Sequence, residues 1–354
     1  MSMRFPDRID TYVRSGGQAL FVAAPGEVAR AEVGLTEAAD KLGRRKPMGI
    51  LFWDCVQGFT GLATPNAISV PDGAKFRDIQ KAIQFIVSDQ CAGDILFVFR
   101  DAHPFLNKVP EVRRCFLNIA EKNGFNAEGM HRRPIVFVSN AREMHEEVRH
   151  HLTEVDFDLP DEEYLHKLAD GTAQQVARQL ADAPGAKAPP GMLDRVAQTL
   201  LGMTENEADR ALSYAVRHHR GWQPEVIDTL EEEKAKTLRA SRVLTYVPRS
   251  RIAGIDSLAG YDNLVDWVRA RKLSFTPAAR AEGLPYPRGL ILLGVPGSGK
   301  SCCAKALARE LDMPLIIMDY AAVKGSLVGE SENRLKDTLA QVRAIKRSVL
   351  LLDS

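Results

Sequence analysis

The chain has 354 residues, room for two domains of about 150 residues with a remainder. Its 47 Lys and Arg against 46 Asp and Glu leave a net charge of +1, with 45% hydrophobic and 26% charged residues. That balance excludes a disordered chain and a polybasic protein built for nucleic acid or an anionic membrane surface. No apolar run reaches the roughly 18 residues of a membrane helix, and the opening MSMRFPDRIDTYVR has charges and a proline where a signal peptide needs an apolar stretch. Cys55, Cys91, Cys115, Cys302 and Cys303 form no C-x-x-C pair, so they read as reduced thiols of a cytoplasmic protein.

The first half alternates strand and helix. Residues 19–24 (ALFVAA) read as a buried strand, and 27–42 carry Val28, Ala31, Leu35 and Ala38 at helical spacings. Residues 50–56 (ILFWDCV), 95–99 (ILFVF), 135–139 (IVFVS) and 155–159 supply four more strands. Helices over 72–88, on Phe76, Ile79, Ile83 and Ile86, and over 111–122 fall between them. Apolar runs that do not alternate, separated by helices, imply a parallel sheet covered on both faces.

From 161 to about 241 the strand signal vanishes. Thr204 and Glu207 form a T-x-x-E capping box ahead of a helix through Ala208, Leu212 and Val216. APGAKAPPG (183–191) reads as a loop between helices. A new unit starts near 248: helix 263–272, strand 290–293, helix 300–311, strand 315–318, helix 332–346 and strand 349–352. The expected division is an α/β domain over 1–160, a helical cap and linker over 161–247, and a third part over 248–354.

Residues 294–301 read GVPGSGKS, the G-x-x-x-x-G-K-[ST] pattern, between an apolar run and an amphipathic helix. Gly294, Gly297 and Gly299, with Val295, Pro296 and Ser298 between them, let backbone N–H groups wrap a phosphate. The helix that follows, opening Lys300, Ser301, Cys302, adds its positive end. Lys300 is expected on the β- and γ-phosphates and Ser301 on Mg²⁺. Residues 349–353 (VLLLD) deliver Asp353 at the end of a buried strand, where its carboxylate can hold the water shell of Mg²⁺. ATP with Mg²⁺ is the expected ligand, Lys300 and Asp353 its catalytic contacts.

From residue 257 onward the chain resembles an AAA+ ATPase. SLAGYDNL is similar to the segment whose backbone brackets the adenine, here Ala259 and Gly260. GLILLGVPGSGKSCCAKALARELDMPLIIMD resembles the first phosphate-binding unit, and SLVGESENRLKDTL resembles the first pore loop with its helix. Within AAA+ proteins the likeness is to the hypothetical chloroplast open-reading-frame AAA ATPases, also found in bacteria. TYVRSGGQALFVAAP, RDAHPFL and VDFDLPDEE are similar to their N-terminal region, and TLEEEKAKTLRASRVL to their linker.

The resemblance implies an α/β P-loop NTPase fold with three-layer α/β/α parallel sheets. The first would be a degenerate AAA-like domain with a helical cap, the second an incomplete AAA+ nucleotide-binding domain. It also implies ATP hydrolysis coupled to remodelling of a protein substrate or partner, in a homo-oligomeric ring; neither a membrane nor nucleic acid is indicated.

Against that pattern, Ser354 stands where AAA+ modules carry the Glu that activates water, so turnover by this chain is expected to be weak. The module is expected to be truncated after the Walker B strand, before the fourth strand, the sensors, the lid and the arginine finger. In AAA+ order that fourth strand separates 290–293 from 349–352. Leu327, Val328 and Gly329 stand where the pore loop has an aromatic, an apolar residue and glycine. In the first half, APGEVAR has one glycine and no Lys-Ser, so Asp101 and Asn140 read as remnants or capping residues.

HEEVRHH (145–151) lacks the i, i+4 histidine spacing of a metalloprotease, and His218 and His219 read as a solvated helix end. Cys302 and Cys303 read as packing residues, with redox sensitivity of ATP binding as the alternative. Two other functions stay open: a nucleotide-responsive scaffold without turnover, and a P-loop small-molecule kinase.

Overall fold

In the computed structural model the apolar runs of the first half form one sheet. The structure describes residues 3–44, 48–62, 73–91, 93–122, 124–125, 132–180, 185–240, 243–252, 254, 260–275, 279, 282–283, 289–295, 297–319, 330–346 and 348–353. The chain divides into two units, Met1–Asp158 and Leu159–Ser354.

The first unit runs α1 (Phe5–Arg14), β1 (Ala19–Ala23), α2 (Val28–Leu42), β2 (Met48–Asp54), β3 (Gly58–Leu62), α3 (Ile79–Ile86), β4 (Asp94–Arg100), α4 (His103–Lys108), α5 (Pro110–Ala120), β5 (Ile135–Ser139), α6 (Glu146–Arg149) and β6 (Thr153–Asp156). Strand order is β3-β2-β4-β5-β1-β6, parallel throughout except for β3, which is antiparallel to β2. Successive side chains of a strand point to opposite faces, and both faces here are apolar. Phe97 and Phe99 of β4 pack with Trp53, Phe137, Ile83 and Phe116 on one face. Leu96 and Val98 pack with Val22, Phe52, Ile9 and Leu35 on the other.

The expected parallel sheet is therefore present, and β5 separates β1 from β4, as the fourth strand does in AAA+ order. Among the elements not expected from the sequence are α1, α4 and β3. GFTGL has two glycines and no apolar run; it becomes a strand because the preceding turn returns it to β2, with Asp54 Oδ1 accepting from Val56 and Gln57 N–H at 2.8 and 2.7 Å.

The second unit opens with α7 (Glu162–Leu180), α8 (Met192–Leu200), α9 (Glu205–His218) and α10 (Val226–Ala240), closed around Leu165, Val196, Leu200, Leu212, Trp222 and Leu230. The capping box is made as expected: Glu207 N–H donates to Thr204 Oγ1 at 3.4 Å and Thr204 N–H to Glu207 Oε2 at 2.8 Å. Then follow β7 (Leu244–Val247), α11 (Asp262–Lys272), α12 (Lys300–Glu310), β8 (Leu315–Asp319), α13 (Glu330–Ala344) and β9 (Val349–Asp353). The sheet order is β7-β8-β9, with β7 antiparallel and β9 parallel to β8. β7 lies in the stretch expected to be linker; its Leu244 and Tyr246 join Ala235 and Leu238 of α10 in one core with Ile316 and Met318 of β8.

Lys234 of α10 is buried in that region. Its Nζ donates to the Thr199 carbonyl at 2.8 Å and lies 5.0 Å from the Tyr246 ring centre. Burial brings its pKa down to about 7, partly offset by Glu231.

One expected strand is absent: 290–293 is not a strand. Apolarity marks a segment for burial, but a strand also needs a hydrogen-bonding partner. Here Leu290, Ile291 and Leu292 line a cavity of about 760 Å³ together with Val349, Leu350, Leu351 and Leu352 of β9 instead of pairing with them. Ile291 and Leu293 stay 83% and 91% exposed.

Candidate functional site

After the apolar stretch ending at Leu293, the chain turns through the glycine-rich loop into α12. Gly297 and Gly299 have φ of +83° and +87°, the left-handed region that side chains disfavour. Gly299 is the N-cap of α12 and supplies no side-chain cap. The first N–H groups of the helix, on Lys300, Ser301 and Cys302, have no intrahelical acceptor, and the macrodipole places positive potential beside them. Lys300 Nζ donates to the Gly294 and Val295 carbonyls at 2.9 and 3.0 Å, so the loop curls around its own lysine. A Cβ at Gly294 would meet Ser298 Oγ at 2.8 Å, which keeps that corner free of a side chain.

The helix is amphipathic in the manner the site needs. Cys303, Ala304, Leu307 and Ala308 face inward, anchoring it so that its opening turn stays beside the loop. Cys303 is buried and Cys302 exposed, which fits packing for the first.

Asp353 ends β9, in register with Asp319 at the end of β8. Gly260, φ +76°, precedes α11. Tyr261, which no sequence motif marks, is the N-cap of α11, and its hydroxyl donates to the Ser298 carbonyl of the loop. Its phenol pKa lies above the ordinary value, first because of a hydrogen bond with the Cys303 side chain. The only hint in sequence is that it follows Gly260. Pro296, Ala259, Leu327, Val328, Gly329 and Ser354 lie outside the described residues.

The first unit handles the equivalent strand ends differently. After β1, Gly26 N–H donates to Asn140 Oδ1 at 3.0 Å, and Asn140 N–H donates to Asp101 Oδ1 at 3.3 Å. Glu27 stands at the N-cap of α2, buried, with Arg30 Nε 2.6 Å from its carboxylate. Asp101 and Asn140 thus cap neighbouring strand ends, while the Glu27 side chain makes no cap hydrogen bond to the helix and is held by Arg30 instead. In HEEVRHH, His145 caps α6 by accepting from Glu147 N–H at 3.3 Å. Among the described residues no cluster of His, Cys, Asp and Glu could hold a metal ion, and no helix is long and apolar enough to cross a membrane.

Three family models match: the SpoVK-like AAA ATPase N-terminal domain over 5–157, the SpoVK-like AAA ATPase second domain over 163–241, and the ATPase family associated with various cellular activities (AAA) over 290–354. The chain belongs to the AAA ATPase family. The "uncharacterized AAA domain-containing protein ycf46" of Trieres chinensis is 28% identical to this AAA protein over 304 residues, 86% of the chain and 57% of the relative. Its counterpart in Guillardia theta is 25% identical over 301 residues, 85% of the chain and 55% of the relative. The ribosome biogenesis ATPase RIX7 of Saccharomyces cerevisiae is 30% identical over 136 residues, 35% of the chain and 16% of that protein. The chain therefore spans little more than half the length of the ycf46 relatives, while family membership makes ATP the ligand class to fit to the loop. The open glycine-rich turn, the unpaired first turn of α12 and an adjacent lysine are chemically suited to a polyphosphate.

Proposed function

We propose that this AAA protein binds ATP with Mg²⁺ at loop 294–301. The carrying observation is the loop itself: two left-handed glycines deliver the chain into the bare N-terminus of α12, with Lys300 folded onto the loop carbonyls. In this reading the N–H groups of Gly297, Gly299, Lys300, Ser301 and Cys302 orient the phosphates, with Gly294, Val295, Pro296 and Ser298 shaping the turn. Lys300 exchanges two neutral carbonyls for anionic oxygens, a stronger charge-assisted contact. Ser301 ligates Mg²⁺, Asp353 holds its water shell, and Ala259 and Gly260 bracket the adenine. Bound ATP supplies a phosphoanhydride whose cleavage can drive conformational change.

For the whole protein, the reading extends to ATP-driven remodelling of a protein partner by a cytoplasmic homo-oligomeric ring, with Leu327, Val328 and Gly329 touching the partner. What supports it is family membership and the likeness of SLVGESE to a pore loop. Ser354, directly after Asp353, favours a second reading, a scaffold that switches on binding alone.

Calorimetric titration with ATP and Mg²⁺ tests the site. The unsubstituted chain should bind and Lys300→Ala should lose binding; equal affinity in both would refute the assignment. ATPase assays with and without protein substrates separate the two readings, since turnover stimulated by substrate contradicts a pure scaffold.

A further inference from the structure

The adenine-side segment and the phosphate loop are joined by one side chain. Gly260 is left-handed and turns the chain into α11, so that Tyr261 reaches across 37 positions of sequence to the loop. Its backbone is fixed independently: the Tyr261 carbonyl accepts from Leu264 and Val265 N–H at 2.9 and 3.0 Å. Its hydroxyl donates to the Ser298 carbonyl. The same oxygen lies 3.3 Å from where a Cβ on Gly299 would stand, so it sits close against the loop at the residue that opens α12.

The consequence follows from peptide geometry. In a trans peptide the C=O and the N–H point in opposite directions. Holding the Ser298 carbonyl on the tyrosine side therefore turns the Gly299 N–H to the other side, into the loop, beside the free N–H groups of the first turn of α12. A loop rich in glycine has many backbone states to lose on binding; a fixed peptide plane removes some of that loss in advance.

We propose that Tyr261 is a positioning residue for the phosphate seat, fixing the Ser298–Gly299 peptide so that its N–H meets a bound phosphate. This rests on the reading of 294–301 as an ATP site. The tyrosine acts through the loop backbone and touches no reacting atom.

The test is Tyr261→Phe, which keeps the ring and removes only the hydroxyl, titrated by calorimetry with two probes, ATP and inorganic tripolyphosphate, beside Lys300→Ala. Loss of one hydrogen bond of ordinary strength weakens binding by about fivefold. The expected result is that Tyr261→Phe weakens both probes by about that same factor, because tripolyphosphate meets the loop without a base. Weakened ATP with unchanged tripolyphosphate overturns the proposal in favour of a contact with the base. Unchanged affinity for both, with or without a lower melting temperature, overturns it in favour of a merely structural tyrosine. If Lys300→Ala still abolishes ATP binding in either case, the site stands and only the role of Tyr261 falls. If the unsubstituted chain binds neither probe, the site reading falls and takes the tyrosine with it.

Discussion

The two units solve the same local problem in opposite ways. In each, an apolar stretch runs into a glycine-bearing turn and then a helix, leaving the helix's positive end at the edge of a sheet. In the first unit the turn is engaged from within: Asn140 takes the Gly26 N–H, and Glu27, the N-cap, makes no side-chain cap hydrogen bond but pairs with Arg30. In the second, the turn carries two left-handed glycines, the N-cap has no side chain, and the nearby charge is a lysine resting on carbonyls. In the first turn a backbone N–H is already taken by a side chain of the protein and the N-cap carboxylate is paired with an arginine, whereas the glycine N-cap of the second leaves the start of its helix bare. The difference lies in a few residues of one turn, on sheets of the same class.

The sheets themselves differ in how fully they are covered, and substitutions sharpen that contrast. Phe97, buried among Phe59, Phe99 and Phe137, should cost about 3–5 kcal/mol when cut to alanine, read as a loss of unfolding free energy in urea; a cost under about 1 kcal/mol would contradict the two-sided core.

Next in size is a pH effect confined to the second unit. Unfolded, Lys234 holds its proton to about pH 10.4; folded, it releases it near 7. Between those values the unfolded chain binds more protons, so stability should rise with pH, by a few kcal/mol at most. Urea midpoints of the second unit at pH 7 and 9 should show the rise, and Lys234→Met should flatten it; a slope that survives the substitution assigns it elsewhere.

Thr204→Ala should cost about 1 kcal/mol by opening the capping box, measured as a drop in the same unit's melting temperature. At the small end, Ile291→Ala should change stability by no more than about 0.5 kcal/mol, because that side chain is 83% exposed. A core-sized loss there would mean that 290–293 is packed as the strand its apolar residues suggest.

What was legible in the sequence follows the same division. Four of the parallel strands, β1, β2, β4 and β5, could be read because each is an apolar run that needs no partner to be noticed, and the phosphate loop because its spacing is entirely local; the fifth, expected over 155–159, forms instead over Thr153–Asp156 (TEVD), where pairing with β1 and not apolarity makes the strand. β3 and β7 could not: GFTGL and LTYV are short, and they become strands only when β2 and β8 offer them edges. Residues 290–293 are the converse, a strand by composition without the pairing. Tyr261 and Glu27 escaped because their roles depend on what they meet, a carbonyl 37 residues away and the end of a helix, and no pattern in one sequence carries that.

The central claim is that the second unit's turn is open to a polyphosphate and the first unit's, whose Gly26 N–H is taken by Asn140 and whose Glu27 is paired with Arg30, is not. Binding stoichiometry measures it directly. Titration of the whole chain with ATP and Mg²⁺ should give one site per chain, abolished by Lys300→Ala and unaffected by Glu27→Gln. Two sites per chain, or one that survives Lys300→Ala, would contradict the account.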